Sequence, residues 1–174
     1  MLTLGCASFA LMLLGDINDA LWHKKVLRAA FPLGLIALAA ATALRCSFSR
    51  ADGVWCLIAA VFAMLLAYVL FGSFSVNDAY IEQGSGRKVC DTGFYAVCRH
   101  PGVLFFAAMY ASLHCALALP WTDIAVYSVL NVILAAVEDV WIFPCVLDGY
   151  AGYKNRVPFL IPGRKNIKKI FSKQ

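Results

Sequence analysis

The sequence predicts an all-α integral membrane protein with about five transmembrane helices. Of the 174 residues, 62% are hydrophobic and 14% are charged, whereas an ordinary soluble domain has about 45–50% apolar and about 25% charged residues. Four uncharged or nearly uncharged segments also approach the roughly 20 residues that a helix needs to cross a bilayer. This composition excludes nucleic-acid readers and most soluble enzymes, and the chain length predicts a single domain over 1–174.

The four long apolar segments are Val26–Leu44, Val54–Phe74, Gly102–Leu119 and Ile124–Val146. A fifth segment, Met1–Leu14, is short for a span. It either crosses the membrane by continuing through Gly15–Trp22 or lies shallow in it. Only Pro120–Asp123 separates the last two long segments, so they must form a tight antiparallel hairpin.

The basic residues predict the orientation of these helices. Arg45 and Arg50 lie on one side of the alternating spans, and the other 13 of the 15 lysines and arginines lie on the opposite side. Cytoplasmic loops carry the excess of Lys and Arg in membrane proteins. We therefore expect the polar loop 75–101 and the tail after Val146 to face the cytoplasm.

The predicted spans and loops divide the chain into three parts. Residues 1–75 contain the N-terminal helices, residues 76–162 contain the polar loop and the last hairpin, and residues 163–174 form a basic tail. In that tail Ile167, Ile170 and Phe171 fall at helical spacing among lysines. The pattern is typical of a short interfacial helix on anionic lipid, or of a frayed basic tail.

The adjacent carboxylates Glu138 and Asp139 are the strongest chemical signal, because they lie inside the last span. Each carboxylate at mid-bilayer costs about 2.5–3.5 kcal/mol, and Glu138 is about 12 Å from the end of the span at 1.5 Å per residue. Pro144 removes a helical hydrogen bond in the same span. A bent helix with inward-pointing acids suits a cationic ligand, or alternatively an interhelical hydrogen bond.

Two further signals lie near the same end of the hairpin. Arg99 and His100 precede Pro101 at a helix start, where an anion would meet the positive end of the helix dipole. Tyr150 and Tyr153 follow the last span, and aromatic faces attract a sulfonium. S-adenosylmethionine, which carries an amino group, a carboxylate and a sulfonium, would use all three signals.

The stretch 92–101, TGFYAVCRHP, resembles the TGxYxxxRHP signature of the isoprenylcysteine carboxyl methyltransferases and related membrane methyltransferases. Glu138-Asp139 stands where that family has Glu-Glu, and Tyr150, Tyr153 and the sequence VPFLIP (157–162) follow at the family's spacing. The resemblance covers roughly residues 87–162. It implies an S-adenosylmethionine-dependent methyltransferase whose cytoplasmic cofactor pocket is formed by the last hairpin and the C-terminal tail.

The resemblance also implies roles for single residues. The implied cofactor-binding residues are Val89, Cys90, Tyr95, His100, Pro101, Gly102, Glu138 and Tyr153. The implied catalytic residues are Arg99, Glu138 and Asp139. No metal or nucleic acid is expected; the expected partners are membrane lipids and a lipophilic or small-molecule methyl acceptor.

The chain departs from the family mainly on the substrate side. Leu134 occupies the position of a family arginine, and Val103 replaces a tyrosine. We therefore expect a different acceptor, and two alternatives stay open. One is a relative of the membrane sterol-type reductases with a nicotinamide cofactor, which Gly102 and Val103 do not support. The other is a non-catalytic relative or small carrier.

Overall fold

The computed structural model describes residues 1–71 and 87–162. Within these ranges the chain is mostly helical. The α-helices are α1 (Leu2–Ile17), α2 (Ala30–Ala43), α3 (Gly53–Phe71), α4 (Pro101–Leu117), α5 (Trp121–Val137), α6 (Phe143–Val146) and α7 (Tyr150–Arg156). The C-terminal interfacial helix predicted around Ile167 and most of the polar loop lie outside the described residues.

Four helical segments of the described chain are long and apolar enough to cross a membrane: Leu2–Trp22, Lys25–Ala43, Gly53–Phe71 and Trp121–Val146. Between the last two lies α4, which is apolar but has 17 residues, about 25 Å of helix. The chain is thus an all-α membrane protein by the length and composition of its helices. Of the two alternatives for the first segment, a span that continues through Trp22 agrees with this helix pattern.

The helix α3 illustrates how these segments meet their surroundings. Among its 19 residues only Ala59 and Val69 are buried, while large apolar side chains such as Leu57, Met64 and Phe71 are exposed. A helix that is hydrophobic on all sides is typical of a membrane span. One face of α3 packs against α4, and the remainder of its surface suits lipid.

The core lies between α1, α2, α4 and α5. Its buried members are Phe9, Met12, Leu38, Phe106, Tyr110, Leu119, Ile124, Tyr127 and Leu134. As predicted, α4 and α5 form a tight hairpin, joined only by residues 118–120, so they run antiparallel. The helix α1 packs against both α2 and α5, and this places the end of α1 beside the end of α5.

Two π-helical segments interrupt the long helices at this shared end. One follows α1 and covers Asn18–Trp22, and the other follows α5 and covers Glu138–Ile142. Pro144 lies at the start of α6 directly after the second π segment, which accounts for a change of backbone hydrogen bonding there because proline has no N–H to donate. Short π-helical segments are rare in proteins. Those that do occur are frequently found at functional sites.

A short strand pair adds to the predicted all-α architecture. Strand β1 (Arg87–Lys88) pairs in parallel with β2 (Leu147–Asp148). After β2, Gly149 adopts a positive φ of 78°, which glycine tolerates without the steric cost of a Cβ, and the chain turns into α7. The pairing brings the segment before α4 next to the segment after α6.

Candidate functional site

The residues of the two sequence motifs meet where α4 begins and α5 ends. We call the group formed by Arg99, His100, Asp139, Tyr150 and Lys154 the Asp139 cluster. Its members come from the segment before α4, from the second π segment and from α7. The two motifs are about 40 residues apart in sequence, so only the hairpin and the strand pair bring them together.

Asp139 is the centre of this cluster and is 3% exposed. Tyr150 donates its hydroxyl to Asp139 Oδ1 at 2.6 Å, and Lys154 Nζ lies 2.8 Å from Oδ2. Arg99 Nε lies 2.8 Å from Oδ1, and its Nη2 donates to Oδ2 at 3.3 Å. Two cations and a tyrosine therefore neutralise and solvate this carboxylate inside the protein, as a buried charge requires.

Arg99 also forms hydrogen bonds with the backbone of the C-terminal segment. Its Nη1 donates to the carbonyls of Lys154 at 2.7 Å and Val157 at 3.1 Å. The backbone N–H of Arg99 donates to the Pro158 carbonyl, and that of His100 donates to Phe159. Arg99, predicted to be catalytic, and Asp139, predicted likewise, thus bind each other and hold the chain after α7 against the start of α4.

His100 lies between aromatic rings and two carboxylates. It is 7% exposed, its ring stacks on Phe143 with an interplanar angle of 9°, and Phe159 packs edge-on against it. Burial lowers the pKa of His100 to about 4 although Asp139 opposes that shift. The imidazole is therefore neutral at neutral pH. Its Nε2 lies 3.4 Å from Asp139 Oδ1, and its Nδ1 lies 3.8 Å from Glu138 Oε2.

Glu138 has different surroundings from Asp139 although the two are adjacent. The helix α1 packs against the second π segment, and Asp16 of α1 lies near the Glu138 carboxyl group. Among the described residues, His100 is the only basic side chain within ion-pair distance of Glu138. Since His100 is neutral, neither Glu138 nor Asp16 has a cationic partner among the described residues.

Aromatic residues close the other side of the site. Tyr150, Tyr153 and Val157 form a buried cluster against which Val89 and Tyr95 pack. Tyr153 donates its hydroxyl to the Tyr95 carbonyl at 2.7 Å, and burial raises the pKa of Tyr153, so its hydroxyl stays protonated. Three of the predicted cofactor-binding residues, Val89, Tyr95 and Tyr153, are therefore neighbours.

Other predicted site residues lie at the margin. Cys90 Sγ lies 3.7 Å from the Thr92 hydroxyl. Pro101 is buried at the start of α4, and a Cβ added to Gly102 would contact Leu66 and Val69 of α3 at 3.5 Å. Gly102 thus faces α3. Across the described ranges, no group of three metal-ligating side chains is brought together.

Sequence reasoning missed Asp16 as a member of this site. The signal was available, because Asp16 is a carboxylate inside an apolar segment long enough to span. Its partner could not be identified from the sequence, since Asp16 and Glu138 are separated by most of the chain. The sequence analysis also does not include Lys154 in the site, although its ammonium group binds Asp139.

No family model matches this chain, and neither the curated proteins nor the solved structures compared with it give a match.

Proposed function

We propose that this protein is a membrane-embedded S-adenosylmethionine-dependent methyltransferase that acts on a lipophilic or small acceptor. The observation that carries the proposal is the meeting of its two motifs. The backbone of Arg99 and His100, from TGFYAVCRHP, donates to the carbonyls of Pro158 and Phe159, from VPFLIP. The two motifs to which the resemblance assigns one cofactor site are thus in direct contact through their backbones.

The chemistry of the group suits that cofactor. Glu138 retains a partly exposed side chain, at 17%, and has no cationic partner among the described residues, so it is suited to an ammonium group. His100, Tyr95 and Tyr153 supply aromatic surface, which favours a sulfonium. Bound here, the cofactor would supply an activated methyl group. The chain would contribute orientation and exclusion of water, which are the main contributions to methyl transfer to an anionic acceptor.

The orientation of the site is part of the proposal. Lys24, Lys25, Arg28 and Lys88 are exposed around the end of the molecule that contains the Asp139 cluster. Cytoplasmic loops are enriched in such residues. This charge distribution supports a site that faces the cytoplasm.

The second candidate function is that of a non-catalytic relative, and the surroundings of Leu134 and Arg99 favour it. Leu134 stands where the family has an arginine that faces the substrate, and it is buried in the helical core at 7% exposure. Arg99, the arginine of the TGFYAVCRHP motif, is bound to Asp139. A chain with these contacts could bind cofactor without transferring its methyl group.

Ligand titration of the purified protein in detergent separates these functions. We expect micromolar binding of S-adenosylmethionine and none of a reduced nicotinamide; binding of the nicotinamide alone would indicate a reductase. His100→Ala should weaken S-adenosylmethionine binding, whereas His114→Ala is the matched control, because His114 contacts the Leu119 carbonyl at the far end of α4. Equal losses in two folded variants would place the site elsewhere, and no binding to wild type would contradict the proposal.

A further inference from the structure

The chain between α1 and α2 forms a turn that Asn18 holds in shape. Asn18 is 0% exposed. Its side-chain Nδ2 donates to the Lys24 carbonyl at 3.2 Å, and the backbone N–H of Lys24 donates to Asn18 Oδ1 at 2.9 Å. His23, whose φ is 52°, donates its backbone N–H to the Asn18 carbonyl. One buried amide thus closes the turn from both sides, and the 3-10 helix Lys25–Ala29 follows it.

Residues 21–29, which we call the connector, expose large apolar side chains beside cations. Val26 is 90% exposed and Trp22 is 49% exposed. Lys24, Lys25 and Arg28 are also exposed, and none of the three forms an ion pair with a residue that the structure describes. A surface of this mixed kind suits the boundary between hydrocarbon and water, where apolar parts can be buried while the charged groups stay hydrated.

The position of the connector in the fold agrees with such a boundary. The membrane-length helix Leu2–Trp22 ends in the connector, and the next one, Lys25–Ala43, begins in it. Lys24 Nζ lies 5.7 Å from the centre of the Trp22 ring, within the range of a cation–π contact. Tryptophan is enriched at membrane–water interfaces. The connector therefore belongs at the level of the lipid headgroups.

The charge of the connector determines which headgroups it favours. Between Asn18 and Ala29 the sequence has three basic residues and a single acid, Asp19, so the surface is positive. Groups of basic residues next to a membrane span attract anionic lipids. The exposed Val26 adds a requirement for hydrocarbon, because an apolar side chain contributes to binding only when it leaves water.

We propose that the connector binds anionic phospholipids of the adjacent leaflet. Lys24, Lys25 and Arg28 hold the lipid phosphates, and Trp22 and Val26 contact the upper part of the acyl chains. The occupant is thus a phospholipid and not a free phosphate. This interaction goes beyond the proposed methyltransferase function and does not depend on it.

Competition between lipids tests the proposal on the full chain. The protein is reconstituted into phosphatidylcholine vesicles that contain spin-labelled phosphatidylglycerol or spin-labelled phosphatidylcholine. Electron paramagnetic resonance then measures the fraction of each label that the protein immobilises. Wild type should immobilise phosphatidylglycerol preferentially, and added salt should reduce the preference because it screens exposed charges. Equal immobilisation of the two labels would overturn the proposal.

Variants test whether the connector is responsible. Lys24→Gln, Lys25→Gln and Arg28→Gln should each lower the preference about fivefold, since a cation near an anionic surface contributes about 1 kcal/mol and about 1.4 kcal/mol is tenfold. Lys88→Gln is the matched control, because Lys88 is exposed but lies in β1, outside the connector. An unchanged preference after all three substitutions, or an equal loss in Lys88→Gln, would show that another surface selects the lipid.

A soluble anion distinguishes the two sources of phosphate. Replacing chloride by inorganic phosphate at constant ionic strength should leave the preference for phosphatidylglycerol unchanged. A loss specific to phosphate would mean that the connector binds the free anion, and the proposal of a lipid site would be wrong.

Discussion

The two ends of the helical bundle each contain a buried aspartate paired with an arginine. The two aspartates differ in the number and in the solvent exposure of their cationic partners. At one end Asp123 is 0% exposed and receives two hydrogen bonds from Arg45, at 2.8 and 3.1 Å. The Arg45 side chain is itself 35% exposed. At the other end Asp139 is bound by Arg99 and Lys154 together, and Arg99 is 9% exposed.

This difference indicates a structural role for the Asp123 end and a different role for the Asp139 end. The Asp123 end needs one bidentate pair to close the turn around α5, and that pair reaches solvent. The Asp139 end gathers two cations, the buried Arg99 and the partly exposed Lys154, on one carboxylate, and the adjacent Glu138 has no cationic partner among the described residues. A purely structural arrangement would be expected to divide the cations between the two acids, because each unpaired buried charge is costly. The asymmetry therefore supports a ligand-binding role for Glu138.

The largest expected difference between the two ends is in stability after loss of the aspartate charge. Asp139→Asn leaves Arg99 buried without a counter-charge, and breaking a buried ion pair from one side costs about 3–5 kcal/mol. Asp123→Asn leaves Arg45 free to reach water, so we expect a loss of about 1 kcal/mol. Chemical or thermal unfolding in one detergent measures both. Similar losses at the two ends would mean that the Asp139 cluster is no more than a second structural pair.

The next difference is in the pH dependence of stability, and it concerns His100. Its pKa in the folded protein is about 4 and its ordinary value is 6.5. As the pH falls from about 6.5 towards 4, the unfolded chain takes up a proton that the folded chain does not, so the folded state loses stability. The full effect is up to about 3 kcal/mol, at about 1.4 kcal/mol per pKa unit.

Unfolding midpoints of wild type and His100→Gln, compared at several pH values, isolate this contribution. The variant should lose less stability than wild type on acidification. An unchanged slope in folded His100→Gln would show that His100 is not held neutral in the native protein.

A smaller difference is expected from adding one methyl group at each end. A Cβ at Gly5 in α1 would collide with the hydroxyl of Tyr127, which is fully buried, and overpacking costs about 1–3 kcal/mol. A Cβ at Gly102 meets Leu66 and Val69 at ordinary contact distance. Gly102→Ala should therefore be neutral or more stable by up to about 1 kcal/mol, since alanine favours helix over glycine.

Unfolding of Gly5→Ala and Gly102→Ala under the same conditions tests this contrast. A stable Gly5→Ala protein would mean that α1 and α5 can move apart, and a destabilised Gly102→Ala protein would mean that α3 and α4 pack more tightly than their contacts indicate. The second variant also tests the resemblance. If Gly102 faces α3, its substitution should leave S-adenosylmethionine affinity unchanged.

The sequence by itself determined the class of the protein and the positions of its helices. Long apolar segments separated by polar or basic turns can only satisfy their backbone groups in a membrane by forming helices. The short turn at Pro120 requires the hairpin, and the hairpin requires that TGFYAVCRHP and Glu138-Asp139 lie at one end of the molecule. The helices and the hairpin depend only on residues close together in the sequence, so they could be predicted without the tertiary structure.

The tertiary structure alone decided which groups neutralise one another. Nothing in the spacing of Glu138 and Asp139 shows that Arg99 and Lys154 both bind Asp139, or that Glu138 meets Asp16. Neighbouring residues on a helix point in different directions, because each residue is rotated about the helix axis relative to the one before it. One therefore faces α7 and the other faces α1. The role of each carboxylate depends on the element that it faces, and the packing of distant helices determines that element.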